Sequence, residues 1–246
     1  MYILPETGST NDHLSGLVDG MGPQILPEFT VVATDSQTAG RGRLGRSWAA
    51  PSGTMLAASV LLYPHAAGIA PFSRLGWLPL IAGLAMTRSL ASMGATTELK
   101  WPNDVLINEK KVCGILAEVV GAEAVVIGSG VNLAMSEDQL PVPTATSMSI
   151  VGAGTDPDWI LATYLREFRT LYTSFAACRG DADASGIQMA VADACSTIGR
   201  IVRVQLPGAK DLVGLATGLD ESGRLVVESD GRRTAVSAGD VTHLRY

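Results

Sequence analysis

The chain has few cysteines: Cys113, Cys178 and Cys195 are the three among 246 residues. Their number is odd, their spacing is wide, and no Cys-x-x-Cys or Cys/His cluster occurs. That argues against a disulfide framework and a zinc site, and it fits a reducing compartment. Basic charge is also short. Eighteen Lys+Arg stand against 24 Asp+Glu, a formal net charge of -6, which excludes a general nucleic-acid binder. Long hydrophobic runs are missing. The most apolar stretch, Trp77 to Met86, is too short to span a bilayer and contains Pro79. The start, MYILPETGSTND, has no basic segment ahead of an apolar one, so no secretory signal is expected. With 47% hydrophobic and 17% charged residues, the chain reads as a packed globular protein. The expectation is a soluble, cytoplasmic protein that engages neither DNA nor membrane.

One more absence is local. From Ser36 to Thr97 there is no Asp or Glu. Inside that gap lies GRGRLGR, residues 40 to 46. The run contains G-x-G-x-x-G at Gly40, Gly42 and Gly45, but the context is wrong for a dinucleotide fingerprint. The preceding strand-like segment ends at Asp35, RSWAAPSG breaks any following helix, and the acid needed for a ribose is missing. No Gly-Lys-Ser/Thr closes the run, so it is not a P-loop either. Glycine lets backbone N–H groups approach a ligand, and arginine offers a fork of donors to carboxylate or phosphate. With no local carboxylate for Arg41, Arg43 and Arg46, the segment reads as an anion site. A flexible surface loop or an RGG-type tail is the plainer alternative, but an RGG tail would be repetitive, and this run occurs once.

The surrounding chain alternates extended and helical signals. Ser9, Thr10 and Asn11 are N-cap residues ahead of a short helix through Leu14, Leu17 and Val18. Strands are expected over 30–35 and 57–63, then a helix over 72–93 buried on one side, then strands over 98–101, 105–107, 112–120 and 124–133. Asp156–Pro157 opens a second helix, with Ile160, Leu161, Tyr164, Leu165, Phe168, Leu171, Tyr172 and Phe175 on its apolar face. After Cys195 come four short β-type runs, IVRVQL, LVGLATGL, RLVVES and TAVS. They are separated by Pro207–Gly208, Asp220 to Gly223, and Asp230–Gly231. The expected class is α+β: a mixed or antiparallel sheet with helices over 1–195, then a small C-terminal β-barrel over 196–246.

A second cationic cluster lies in KWPNDVLINEKKVCGILAE, Lys100 to Glu118. Pro102 and Asn103–Asp104 make a polar strand–turn–strand corner. Lys111 heads an apolar strand in which Gly114 leaves the backbone open to close approach. Alone, KWPND reads as a turn and Lys110–Lys111 as a solvated hairpin tip. Beside the arginine run, they read as the other half of an anion site.

These segments are similar to those of biotin–protein ligases. The matching motifs are ETGSTN (6–11), QTAGRGRLGRSW (37–48), KWPNDVLI (100–107), KVCGILAE (111–118) and GSGVNL (128–133), in that order. The resemblance covers nearly the whole chain. It implies a catalytic domain of the kind shared by class II aminoacyl-tRNA synthetases and biotin ligases, followed by an SH3-like β-barrel. It also implies a two-step reaction: biotin and ATP give biotinyl-5′-AMP, and a lysine of a biotin carboxyl carrier domain of acetyl-CoA or related carboxylases then takes the biotinyl group. Ser9, Thr10, Asn11 and Gln37 would meet the biotin ring, and Arg41, Gly42 and Arg43 its carboxylate and then the acyl phosphate. Lys111 would contact carboxylate and α-phosphate, with Arg43 beside it in catalysis, and Gly114 would open the backbone to biotin. Gly40, Arg46, Trp48, Asn103 and Asn132 would address the nucleotide. Magnesium is expected on the ATP phosphates, with Asp104 as its candidate protein ligand. ETGSTN begins at Glu6, so the short form without a helix-turn-helix repressor domain is expected, as a monomer or weak homodimer. The nearest rival is a lipoate ligase, whose Arg-Arg-x-Ser-Gly-Gly-Gly type loop is not what this chain carries. A biotin-sensing regulator would need a further DNA- or partner-binding module. A degenerate scaffold should have lost Lys111 or the loop arginines.

Overall fold

Runs rich in Val, Ile, Leu and Ala extend side by side because alternate residues can then be buried on opposite faces. In the computed structural model, which describes residues 1–21, 26–205, 211–237 and 239–244, twelve strands and four α-helices follow. They are β1 (Tyr2–Ile3), α1 (Thr10–Met21), β2 (Val31–Thr34), β3 (Met55–Leu62), α2 (Leu78–Ala91), β4 (Thr97–Lys100), β5 (Asp104–Ile107), β6 (Lys110–Val120) and β7 (Ala124–Asn132). After these come α3 (Pro157–Ala177), α4 (Ile187–Ala194), β8 (Ile201–Gln205), β9 (Leu212–Leu219), β10 (Leu225–Ser229), β11 (Arg232–Val236) and β12 (Asp240–His243).

Seven strands form a mixed sheet in the order β1-β2-β3-β7-β6-β5-β4. Only β1–β2 is parallel; every other neighbouring pair is antiparallel. Strand β3 shows how its two faces differ. Leu56, Ala58, Val60 and Leu62 point into the main core with α2 and α3, whereas Leu61 points the other way, onto Leu14 and Val18 of α1. Helix α1 covers only part of that second face. Beyond it, in register, Ala57 pairs with Gly130, Ser59 with Gly128, and Gly114 with Gly130. The small residues leave a bare strip of sheet, and the cavity described below opens on it.

Three expectations need correcting. The helix expected over 72–93 is a 3-10 turn (Phe72–Trp77) followed by α2, and α2 is buried on nearly all sides rather than one. The sheet lies on one side of it and α3 on another, so it has little solvent face left. Helix α4 was not anticipated; its eight residues IQMAVADA are too short for a strong periodic signal. The C-terminal unit has five strands, not four, in the order β11-β10-β9-β8-β12. That order is open among the described residues, so the expected barrel is described as a five-stranded antiparallel sheet. The expected Pro207–Gly208 turn, with Leu206 of the first run, lies outside the described residues.

The two sheets are not loosely tethered. Val202, Val204, Leu225 and Val227 share one continuous core with α2 and α3. Two buried tryptophans also reach the β9–β10 turn: Trp77 Nε1 donates to the carbonyl of Glu221 at 3.0 Å, and Trp101 Nε1 to that of Gly223 at 3.0 Å. A buried indole N–H must find an acceptor, so these bonds fix the C-terminal sheet against the first.

Candidate active site

The bare strip of the large sheet is the floor of a cavity of about 780 Å³. A methyl group on Gly128 would fall 2.2 Å from Asn11 Oδ1, and one on Gly130 2.6 Å from the Trp48 ring. The glycines are therefore required by close approach of other groups to the sheet.

Lys111 reaches this cavity through an irregularity of the sheet. Asp104 pairs with Gly114, but two residues away Leu106 pairs with Lys111, three residues from Gly114. The extra residue on β6 is a bulge, and it reverses the side-chain alternation. Lys111 and Gly114 thereby face the same side, which a regular strand would forbid. The backbone of Lys111 is pinned by its N–H to the Thr144 carbonyl and its carbonyl to the Thr146 N–H, both 2.8 Å. Its Nζ lies 2.7 Å from Asp104 Oδ1, outside hydrogen-bond angles, and 5.6 Å from the centre of the Trp48 ring. The Trp48 indole N–H is buried with no hydrogen-bond partner among the described residues.

The glycine–arginine run is an ordered hairpin rather than a loose loop. Trp48 N–H donates to Gly40 O at 2.8 Å, Gly42 N–H to Arg46 O at 2.7 Å, and Arg46 N–H to Arg43 O at 3.2 Å. Leu44 and Gly45 at the tip have φ of 57° and 73°, the left-handed pair that a tight primed turn demands. At the base, a methyl on Gly40 would sit 2.4 Å from the Trp48 carbonyl.

The arginines are not the free cations that the acid gap suggested. Arg41 donates to Glu118 through both terminal nitrogens at 2.7 Å each, and to Asp12 at 2.5 Å. Arg46 pairs with Asp240 of β12. Arg43 donates to Asn103 Oδ1 at 2.7 Å, and Asn103 in turn donates to Ile115 O at 2.9 Å. The carboxylates come from α1, β6 and the C-terminal sheet, so a gap along the chain did not mean a gap in space. Any anion taken by Arg41 must displace a bidentate carboxylate. Burial lowers the pKa of Arg43, opposed by Asp240 and Asp104. Burial lowers that of Lys100 as well, with Asp104 opposing and Lys111 reinforcing. Several cations thus share one partly dry space, where an added negative charge is favoured.

Of the residues singled out from sequence, Ser9, Thr10, Asn11, Gln37, Arg41, Gly42, Arg43, Arg46, Trp48, Asn103, Asp104, Lys111, Gly114 and Asn132 all line this one cavity. Gly40 does not; it closes the hairpin base instead. Unanticipated are Ser59, hydrogen-bonded to Asn11 at 2.6 Å, Glu118, the 141–145 segment, and Asp240, Thr242 and His243 of β12. Ser59 carried a readable signal, being the one polar residue in MLAASVLL. Burial, with Lys100 and Arg200 nearby, pushes the His243 pKa down to about 4.

The comparison with known proteins turns on the same segments. The family model of the biotin/lipoate A/B protein ligase family matches residues 6–132, and that of the biotin protein ligase C terminal domain matches residues 197–244. The chain belongs to this ligase family. As a member, it is 38% identical over 252 residues to a biotin–[acetyl-CoA-carboxylase] ligase of Mycobacterium tuberculosis, covering 99% of this chain and 88% of the relative. It is 30% identical to the ligase of the same name from Paracoccus denitrificans, covering 97% and 98%. Its fold matches a biotin protein ligase from Aquifex aeolicus solved with biotin and ATP, with a TM-score of 0.79 and 26% identity over 99% of this chain and 98% of that one.

Proposed function

We propose that the chain is an ATP-dependent biotin ligase. A biotin carboxylate oxygen attacks the α-phosphorus of ATP, the bond to the β-phosphate breaks, and biotinyl-5′-AMP and pyrophosphate form. A lysine amine of a carrier domain then attacks the acyl carbon, AMP leaves, and the amine gives up a proton. The observation that carries this reading is the convergence of Lys111 and the arginine hairpin on one cavity over a glycine floor. Two anions held at about 4 Å repel by about 4 kcal/mol at an effective dielectric of about 20. Fixed cations offset that repulsion and stabilise the charge that builds at the α-phosphate. The named relatives support biotin over lipoate.

Within this reading, Ser9, Thr10, Asn11 and Gln37 hold the ring at the α1 end. Lys111 and Arg43 serve the reacting carboxylate and phosphate, while Arg46, Trp48, Asn103 and Asn132 serve the nucleotide. Magnesium would ride on the triphosphate. Asp104, Asp240 and Glu109 line the cavity, and no group of three metal-ligating side chains occurs among the described residues. That donor set fits an ion carried mainly by phosphate oxygens, with Asp104 as its protein ligand. The catalytic unit spans 1–195 and the C-terminal unit 196–246, in a cytoplasmic monomer or weak homodimer that biotinylates a carboxylase carrier domain. No helix among the described residues is long and apolar enough to cross a membrane. The test is pyrophosphate release with biotin or lipoate as the acid. Release that requires both ATP and biotin supports the proposal; release with lipoate alone overturns it.

A further inference from the structure

Behind Asn11 and Arg41, which line the cavity, one carboxylate organises two sets of contacts. Glu118 accepts two hydrogen bonds from Arg41 and one from Asn11 Nδ2, each at 2.7 Å. Asn11 Nδ2 also approaches the Leu116 carbonyl at 3.4 Å. With its nitrogen held there, the amide must turn its oxygen the other way, over the bare backbone of Gly128. That oxygen accepts the Ser59 hydroxyl at 2.6 Å. Ser59 also lies 2.8 Å from the Thr10 hydroxyl, and Thr10 donates to Gln37 from its backbone at 2.9 Å and its hydroxyl at 3.2 Å. Asn11 and Ser59 are 3% and 0% exposed, so their polarity is set by these bonds and not by water.

An ionised carboxylate can only accept, which makes Glu118 a device for choosing between the two orientations of the Asn11 amide. We propose that Glu118 is a specificity-determining positioning residue. It locks Asn11 with its oxygen toward the floor, so that this part of the cavity offers an acceptor to a ring N–H of the acid substrate. The same carboxylate anchors the hairpin through Arg41, linking ring recognition to the segment that carries Arg43. Without it, the amide can flip and turn its NH2 group toward Ser59, whose hydroxyl oxygen can accept. The pocket would then present donors where the ring also has a donor. This inference rests on the biotin reading, whose ureido group carries such N–H groups.

The test compares the full chain with Glu118→Gln and Glu118→Asp. Pyrophosphate release is followed with biotin and with a ring analogue in which a ureido N–H is replaced by oxygen. Glu118→Gln has nearly the same shape, but its amide cannot satisfy Arg41 and Asn11 as two acceptors. It is expected to raise the KM for biotin about tenfold with kcat nearly unchanged, and to narrow the preference for biotin over the analogue by about the same factor. Glu118→Asp keeps an acceptor-only group and retains more of that preference. Equal losses for both acids in Glu118→Gln, or equal narrowing in the two variants, overturn the inference while leaving the ligase reading intact. A wild-type chain that releases no pyrophosphate with biotin overturns both.

Discussion

The two cationic segments of the site are built in opposite ways. Lys111 stands on an interior strand, its backbone N–H and carbonyl both bonded to the 144–146 segment, with one carboxylate beside its ammonium. The arginines stand on a hairpin whose tip is exposed, and each is held by a partner from a different element: Glu118 and Asp12, Asn103, and Asp240. A strand-borne charge is preorganised and costs little rearrangement when a ligand arrives. Hairpin-borne charges must exchange protein partners for ligand partners. They suit closure over an intermediate more than the bond-making step itself.

The largest effect should therefore come from the strand. Lys111→Ala is expected to slow pyrophosphate release by a factor of about 10²–10³. A loss under tenfold in single-turnover assays would erase the distinction between the two segments. Crowding the floor comes next. Gly130→Ala puts a methyl 2.6 Å from the Trp48 ring and forces the indole, and the hairpin attached to it, to move. Overpacking of that kind should weaken biotin and nucleotide binding by about 1–3 kcal/mol in calorimetry. Arg43→Ala should leave the first step within about tenfold of wild type, the scale of one charge-assisted hydrogen bond. Its mark should be leakage, seen as free AMP and biotin accumulating without an acceptor. Equal damage to both steps would make Arg43 the equivalent of Lys111.

The last effect is on stability rather than turnover, and it concerns the far anchor of the hairpin, strand β12. The His243 pKa is depressed from 6.5 to about 4, first by burial and then by Lys100 and Arg200, with Glu109 opposing. As pH falls below 6.5 the unfolded chain takes up this proton before the folded one does. Stability is then lost between about pH 6.5 and 4, and His243 adds no further slope below that. Urea midpoints of the wild type and His243→Asn should converge across this window.

Much of this was legible in the chain. The glycine–arginine run and Lys111 stood out as anion-binding residues by their chemistry alone, whereas Ser9–Asn11 read only as a helix start and became site candidates through the family resemblance; residues of all three segments share one cavity. What stayed hidden was set by distance. The acids that hold Arg41 and Arg46 lie 29, 77 and 194 positions away, where no local window reaches. The bulge that turns Lys111 inward depends on how β5 and β6 register, which neither strand encodes by itself. Strand β12 was missed because DVTH is four residues long and has only one buried apolar side chain, Val241. It nevertheless supplies three residues of the cavity wall. Helix α2 was misjudged because a helix buried on nearly all sides has little amphipathic pattern to read.

The cavity wall is drawn from Ser9 at one extreme and His243 at the other. The chamber is therefore closed by segments from widely separated parts of the sequence: a chain lacking β12 would keep Lys111 and all three hairpin arginines, yet lose Asp240, Thr242 and His243 from one wall.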